Sequence, residues 1–319
     1  MQPSARRDLA TSPRRFNSAI GKFARQFSLS ALTAQLIWGL NVSTMKLAVA
    51  EIDPYLAGLF RVFFAGIILL IVLARTEGHI GLARHHWPRM VLVAVTGMGI
   101  NTMFWQTGLS MSTATNAALL SSASPIFAMI LAVVIGQERL VRGRVIGTAI
   151  ALTGVVLVIQ TDGLHLGANL LGDGFLIGSA ITWAAYNVLG VPLLRYYSPL
   201  KVTAWSMILG AMAMMLFSPW EVHHWNLLHV SPVAWFGIAF GVIFGSVIAQ
   251  TLWSQTLNSL GASGTMIYSY LSPVLAVGFA WLLLAERLSL LQAVGATLVL
   301  GGVTVSSRIA RSRPRAVTA

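Results

Sequence analysis

Residues 121–140 read Ser-Ser-Ala-Ser-Pro-Ile-Phe-Ala-Met-Ile-Leu-Ala-Val-Val-Ile-Gly-Gln-Glu-Arg-Leu, and residues 269–288 read Ser-Tyr-Leu-Ser-Pro-Val-Leu-Ala-Val-Gly-Phe-Ala-Trp-Leu-Leu-Leu-Ala-Glu-Arg-Leu. One frame occurs twice: a serine, then Ser-Pro, an apolar run, and Glu-Arg-Leu. Pro125 and Pro273 are 148 residues apart, as are Glu138 and Glu286. The same spacing pairs Gly147 with Gly295, Gly154 with Gly302, Trp105 with Trp253 and Gly97 with Gly245. Further back it shortens to 145, pairing Trp38 with Trp183 and Pro54 with Pro199, as an insertion between the second and third segments would produce. The chain is an internal duplication.

Composition says in what medium the two copies fold. The chain is 56% apolar and only 9% charged, and its mean hydropathy is +0.76. A soluble domain carries roughly 25% charged residues, so these values point to a polytopic membrane protein with short loops. The net charge of +12 sits in tails and loops rather than along one polar face, which argues against nucleic-acid binding. With no cysteine, disulfides and thiolate metal sites are excluded.

A bilayer core of about 30 Å needs roughly 20 apolar residues per helix. Ten runs qualify: 29–50, 54–74, 88–109, 112–136, 141–160, 173–194, 199–218, 231–255, 261–285 and 289–308. The expected fold is an all-α bundle of ten transmembrane helices. Its organisation is a basic tail (1–28), a first five-helix repeat (29–160), a second (161–308) and a basic tail (309–319). With the N-terminus placed in the cytoplasm, the inward segments hold all of the 21 Lys and Arg except Lys46, Arg61 and Arg287. That is the positive-inside pattern and puts both termini in the cytoplasm. Five helices per copy is an odd number, so the second copy enters the membrane from the opposite side. The halves are then inverted about an axis in the membrane plane, an arrangement suited to opening a central site alternately to either side.

The polar residues within the spans choose particular helices. Trp38 and Asn41 share a face of the first helix with Gln35 and Met45. The third carries Asn101, Trp105 and Gln106, and the fourth Asn116 and Ser121. In the second copy the counterparts are Trp183, Tyr186 and Asn187, then Gln250 and Trp253, then Tyr268 and Ser269. Two readings fit this set. One is hydrogen bonding between helices. The other is a polar cavity with aromatic walls, in which these residues bind substrate.

Pro125 and Pro273 lack an N–H, so the carbonyls of Ser121 and Ser269 lose their helical donor. Each proline is a candidate hinge beside the site, or a static kink. Four charges complete the candidate set. Lys46 and Arg61 lie about two turns inside their spans, where they snorkel to the outer interface or pair with Glu51 or Asp53, or where one of them faces a substrate carboxylate. Glu138 and Glu286 stand at helix ends beside an arginine, which suits capping or ion pairing. No H-E-x-x-H, paired intramembrane aspartates or G-x-S-x-G occurs, and His85-His86 and His223-His224 fall in loops. These features point away from an enzyme and call for no metal or cofactor.

Trp38-Gly39 followed by Lys46, Arg61 in the second span, and the doubled Ser-Pro…Glu-Arg-Leu block with its trailing glycines resemble the EamA-type drug/metabolite transporter superfamily. The resemblance implies ten helices in two inverted halves and a cavity lined by helices one, three, four, six, eight and nine. It also implies export of small metabolites. The aromatic wall suits aromatic or apolar amino acids, with efflux of drugs or toxic compounds, or a binding protein that never cycles, as the alternatives. The expected partners are a small-molecule substrate and the lipid bilayer. A monomer would suffice.

Overall fold

The computed structural model describes residues 28–111, 117, 120–159, 170–216, 230–275 and 290–311, and among these the regular secondary structure is helical, without a strand. Helix α1 spans Leu29–Val49 and starts where the Ser28 hydroxyl accepts from the Ala31 amide. Helix α2 spans Pro54–Glu77; Asp53 accepts from the Tyr55 and Leu56 amides, and Pro54 fills a first-turn position whose missing N–H costs nothing. Helix α3 joins Trp87–Ala94, a π turn at Val95–Ile100, and Asn101–Met111. Helices α4 (Ser124–Val134), α5 (Arg142–Ile159), α6 (Leu170–Gly190) and α7 (Pro199–Leu216) follow.

Helix α8 starts as Pro232–Phe240, passes through a longer π segment at Gly241–Ile248, and continues from Ala249 to residue 260. Gly261 then interrupts it with φ 74° and ψ −179°, a conformation open essentially to glycine alone. Residues 262–275 form α9, tightened into a 3₁₀ turn at Ile267–Tyr270. Leu290–Arg311 is α10.

Four stretches are long and apolar enough to cross a membrane: Pro54–Glu77, Leu170–Arg195, Pro199–Leu216 and Pro232–Leu275. The last, at 44 residues, is about twice the length one crossing needs. Gly261 is where it divides.

In place of one kinked span over 112–136, the described part turns at residues 122–123 and starts afresh as Ser124–Val134. Pro125 therefore lies in a first turn, where an N–H would find no helical partner anyway.

The helices pack in pairs that respect the repeat. The broadest contacts join α5 to α10, α2 to α7, α3 to α6 and α1 to α8. The first two unite a helix with its own copy. The other two are the same contact seen from each half, since α6 repeats α1 and α8 repeats α3. Close approaches show it atom by atom. A Cβ on Gly97 would lie 2.6 Å from the Tyr186 Cβ, and one on Gly245 would lie 2.9 Å from the Asn41 Oδ1. Residues 41 and 186, like 97 and 245, are repeat partners. The two π segments also fall at matching places. This pairing brings α1, α6 and α8 together around one aromatic cluster.

Candidate functional site

Three indoles meet at the middle of the bundle. Trp38 lies 5.8 Å from Trp183 and 5.2 Å from Trp253, ring centre to ring centre, and Trp183 to Trp253 is 6.1 Å. Tyr186 stacks on Trp183 at 5.3 Å. Trp38 and Trp183 are repeat partners, one from each half. Trp105, the partner of Trp253, is elsewhere: it packs with Leu109, Leu176 and Leu120 in a separate small cluster. The duplication thus supplied four tryptophans, of which three converge.

Most polar atoms in this centre are already taken. The Trp38 indole donates to the Gly245 carbonyl at 2.9 Å. Trp253, fully buried, donates to the Asn187 carbonyl oxygen at 2.7 Å, and the Asn187 amide donates to the Trp183 carbonyl at 2.8 Å. Gln250 donates to the Tyr186 hydroxyl at 3.1 Å. Asn101 on α3 donates to the Ser179 carbonyl on α6 at 2.8 Å. The buried Tyr268 hydroxyl accepts from the Ser28 amide at 2.9 Å. Buried amides and indoles are costly when unpaired, so these bonds fix how α1, α3, α6, α8 and α9 sit.

Three candidates keep spare capacity. The side-chain oxygen of Asn41, the Nε2 of Gln106 and the Nε of Arg61 are buried without a hydrogen-bond partner. Asn41 packs against Gly245 and Gly241, and Arg61 reaches the same Gly241 from α2. The two carboxylates that could have neutralised Arg61 are engaged elsewhere. Glu51 accepts from the Ser231 amide and hydroxyl, both at 2.7 Å, and Asp53 caps its own helix. The Ser231 hydroxyl, then its amide, hold the Glu51 carboxyl below its usual range. The side chain of Lys46, and residues Asn116 and Glu286, lie outside the described residues.

At the break before α4, the Ser121 carbonyl accepts from the Ser124 hydroxyl at 2.6 Å, so the expected loss of a helical donor to Pro125 is replaced by a chain turn. The second copy uses its matching serine differently. Ser272, beside Pro273, donates to Gln35 on α1 and so ties α9 across to α1. Ser269 is half-buried within the 3₁₀ turn. Glu138 pairs with Arg144 and accepts from the Ser263 amide at 3.4 Å. It thereby links the loop after α4 to the first turn of α9, directly after Gly261, where negative charge is favourable.

Two features of the site carry no periodic signal in the sequence. The π segments change the backbone register without changing residue type, and such turns concentrate at functional sites. The Gln35–Ser272 bridge depends on a tertiary approach that spacing cannot reveal. Among the described residues, no group of His, Asp and Glu could hold a metal ion.

The comparisons with known proteins agree with this architecture. The profile of the EamA-like transporter family matches residues 27–160 and again 170–308. This chain belongs to the EamA-like transporter family. Its EamA relatives include an uncharacterized transporter, YyaM, of Bacillus subtilis, 29% identical over 86% of this chain and 90% of its own length. A "probable amino-acid metabolite efflux pump" of Salmonella typhimurium is 23% identical over 89% of this chain and 95% of its own. A "probable terminal-alkyne amino-acid exporter" of Streptantibioticus cattleyicolor is 26% identical over 77% and 82%. A crystal structure sharing 20% sequence identity superposes with a TM-score of 0.74 over 89% of this chain and 98% of that one, which establishes the likeness of fold. As an EamA protein with long apolar helices, the chain is a multi-pass membrane transporter.

Proposed function

We propose that this transporter exports small metabolites, foremost amino acids with aromatic or apolar side chains, by alternating access across a bacterial inner membrane. In this reading residues 29–160 and 161–308 are two inverted five-helix halves, and the basic tails at 1–28 and 309–319 both lie in the cytoplasm. The supporting observation is the meeting of Trp38 and Trp183, one from each half, with Trp253. A site shared between copies is the one place where rocking of the halves changes access from both sides. Indole faces supply apolar, quadrupolar walls suited to an aromatic or aliphatic side chain. The reciprocal helix contacts favour inversion, and two relatives carry names that refer to amino-acid export.

The chemistry required is modest. Polar substrate groups need partners that the protein leaves unpaired, and Asn41, Gln106 and Arg61 are such groups. Pro125 and Pro273 would serve as hinges, and Glu138 would hold α9 at the cytoplasmic side. The test is efflux from proteoliposomes loaded with labelled phenylalanine, leucine or alanine. Release above that of empty liposomes is expected for the aromatic and branched substrates. No release of any amino acid, with a drug-like cation moved instead, would replace the substrate class.

A further inference from the structure

Beside the indoles lies a second, polar feature. Gly241 stands at the start of the α8 π segment. A Cβ built there would lie 3.3 Å from the Asn41 Oδ1, 3.4 Å from the Arg61 Cδ and 2.7 Å from the Met45 sulfur. Asn41 and Arg61 therefore close on the same glycine, and neither the Asn41 oxygen nor the Arg61 Nε has a partner. Asn41 is only 6% exposed. One turn along α1 from Asn41 is Trp38, whose indole bonds the carbonyl of Gly245 in the same π segment. The polar spot and the aromatic cluster are thus adjacent, joined through one stretch of α8.

Inside a membrane protein, a guanidinium without a carboxylate partner is costly, and so is an amide oxygen without a donor. Among the described residues Arg61 makes no ion pair, because Glu51 and Asp53 are held by Ser231 and by the start of α2. The two orphans are complementary in kind: one offers positive N–H donors, the other a neutral acceptor. A carboxylate answers the first and an ammonium the second.

We infer that Arg61 and Asn41 form the head-group subsite of this transporter, taking the α-carboxylate and α-ammonium of an amino-acid zwitterion while its side chain faces Trp38 and Trp253. This rests on the amino-acid reading above and adds a sharper requirement, that both charges of the head group are recognised. Amines without a carboxylate and acids without an ammonium are then poor substrates, although they carry the same aromatic ring.

Four solutes test it in reconstituted liposomes: phenylalanine, phenylalaninamide, 3-phenylpropionate and phenethylamine. The native chain is expected to move phenylalanine roughly ten-fold or more faster than the other three, the scale of one lost charge-assisted hydrogen bond. Arg61→Gln is expected to lower phenylalanine flux by a similar factor and so to erase the preference for phenylalanine over its amide, and Arg61→Lys to restore part of that preference. Asn41→Ala is expected to narrow the gap between phenylalanine and 3-phenylpropionate. If Arg61→Gln proves unstable, the selectivity of the native chain still decides. Equal flux of phenylalanine and its amide through the native chain overturns the subsite but leaves amino-acid export standing. No flux of any amino acid removes both.

Discussion

Gly147 on α5 and Gly302 on α10 touch through their backbones. A Cβ on Gly147 would lie 2.8 Å from the Gly302 carbonyl oxygen, and one on Gly302 would lie 2.6 Å from the Gly147 carbonyl oxygen. One turn pair away, a Cβ on Gly154 would lie 2.6 Å from the Gly295 carbonyl oxygen. Residues 295 and 302 are the repeat copies of 147 and 154. The second contact is therefore the first with the halves exchanged, as at a two-fold interface. Because one number rises as the other falls, the two helices run antiparallel.

Small residues at such a crossing let helix backbones approach. Gly302→Ala puts a methyl against the Ala151 amide and the Gly147 carbonyl, which cannot rotate away. We expect a loss of about 1–3 kcal/mol, the range for overpacking. Gly301→Ala, one residue along and facing open space, is expected to be neutral or to gain about 0.5–1 kcal/mol from helix propensity. Thermal midpoints of the two variants in one detergent check the pair.

Trp253→Phe keeps a ring in the aromatic cluster but strips the Asn187 oxygen of its donor. The expected cost is about 1–3 kcal/mol. Asn187→Leu should carry a comparable penalty. Combining the two should cost clearly less than their separate effects together, because each removes the other's stranded partner. A double-mutant cycle of melting midpoints checks this.

Glu51 tethers the α1–α2 turn to the start of α8, and its carboxyl is held below the usual range by Ser231. A depressed carboxyl contributes stability above its unfolded value, about 4.3, and loses it as pH falls through the lower folded value. Native chain and Glu51→Gln are therefore expected to differ in melting midpoint at neutral pH and to converge in acid. A constant difference down to the acid limit would show that the tether does not depend on charge.

Much of the architecture was legible because membrane helices are written in long apolar runs and the duplication repeats its punctuation. Proline and glycine positions gave the register that the α5–α10 and α1–α8 contacts obey. The polar residues were legible only by helix. Asn101, Asn187 and Gln250 look no different in sequence from Asn41 and Gln106. Yet the first three spend their side chains on Ser179, Trp183, Trp253 and Tyr186, while the last two keep an unpaired atom. That division depends on tertiary distances. Repeat logic groups Trp105 with the other indoles, but α3 carries it to a different cluster, since near-symmetry of sequence does not oblige equal packing. The π segments are not legible in the sequence, because a change in hydrogen-bond register leaves side-chain periodicity almost intact.

The central claim is that a site between the two halves opens to each side in turn. The chain contains no cysteine, so single cysteines can be placed without background. Ser121 ends the stretch before the α4 break, and Ser246 lies in the α8 π segment beside Gly245. Labelling Ser121→Cys and Ser246→Cys with a membrane-impermeant thiol reagent, applied separately to each face of oriented vesicles, measures access directly. The account predicts that each position reacts from both faces and that saturating phenylalanine changes the ratio. Reaction from one face only, with and without phenylalanine, would contradict it.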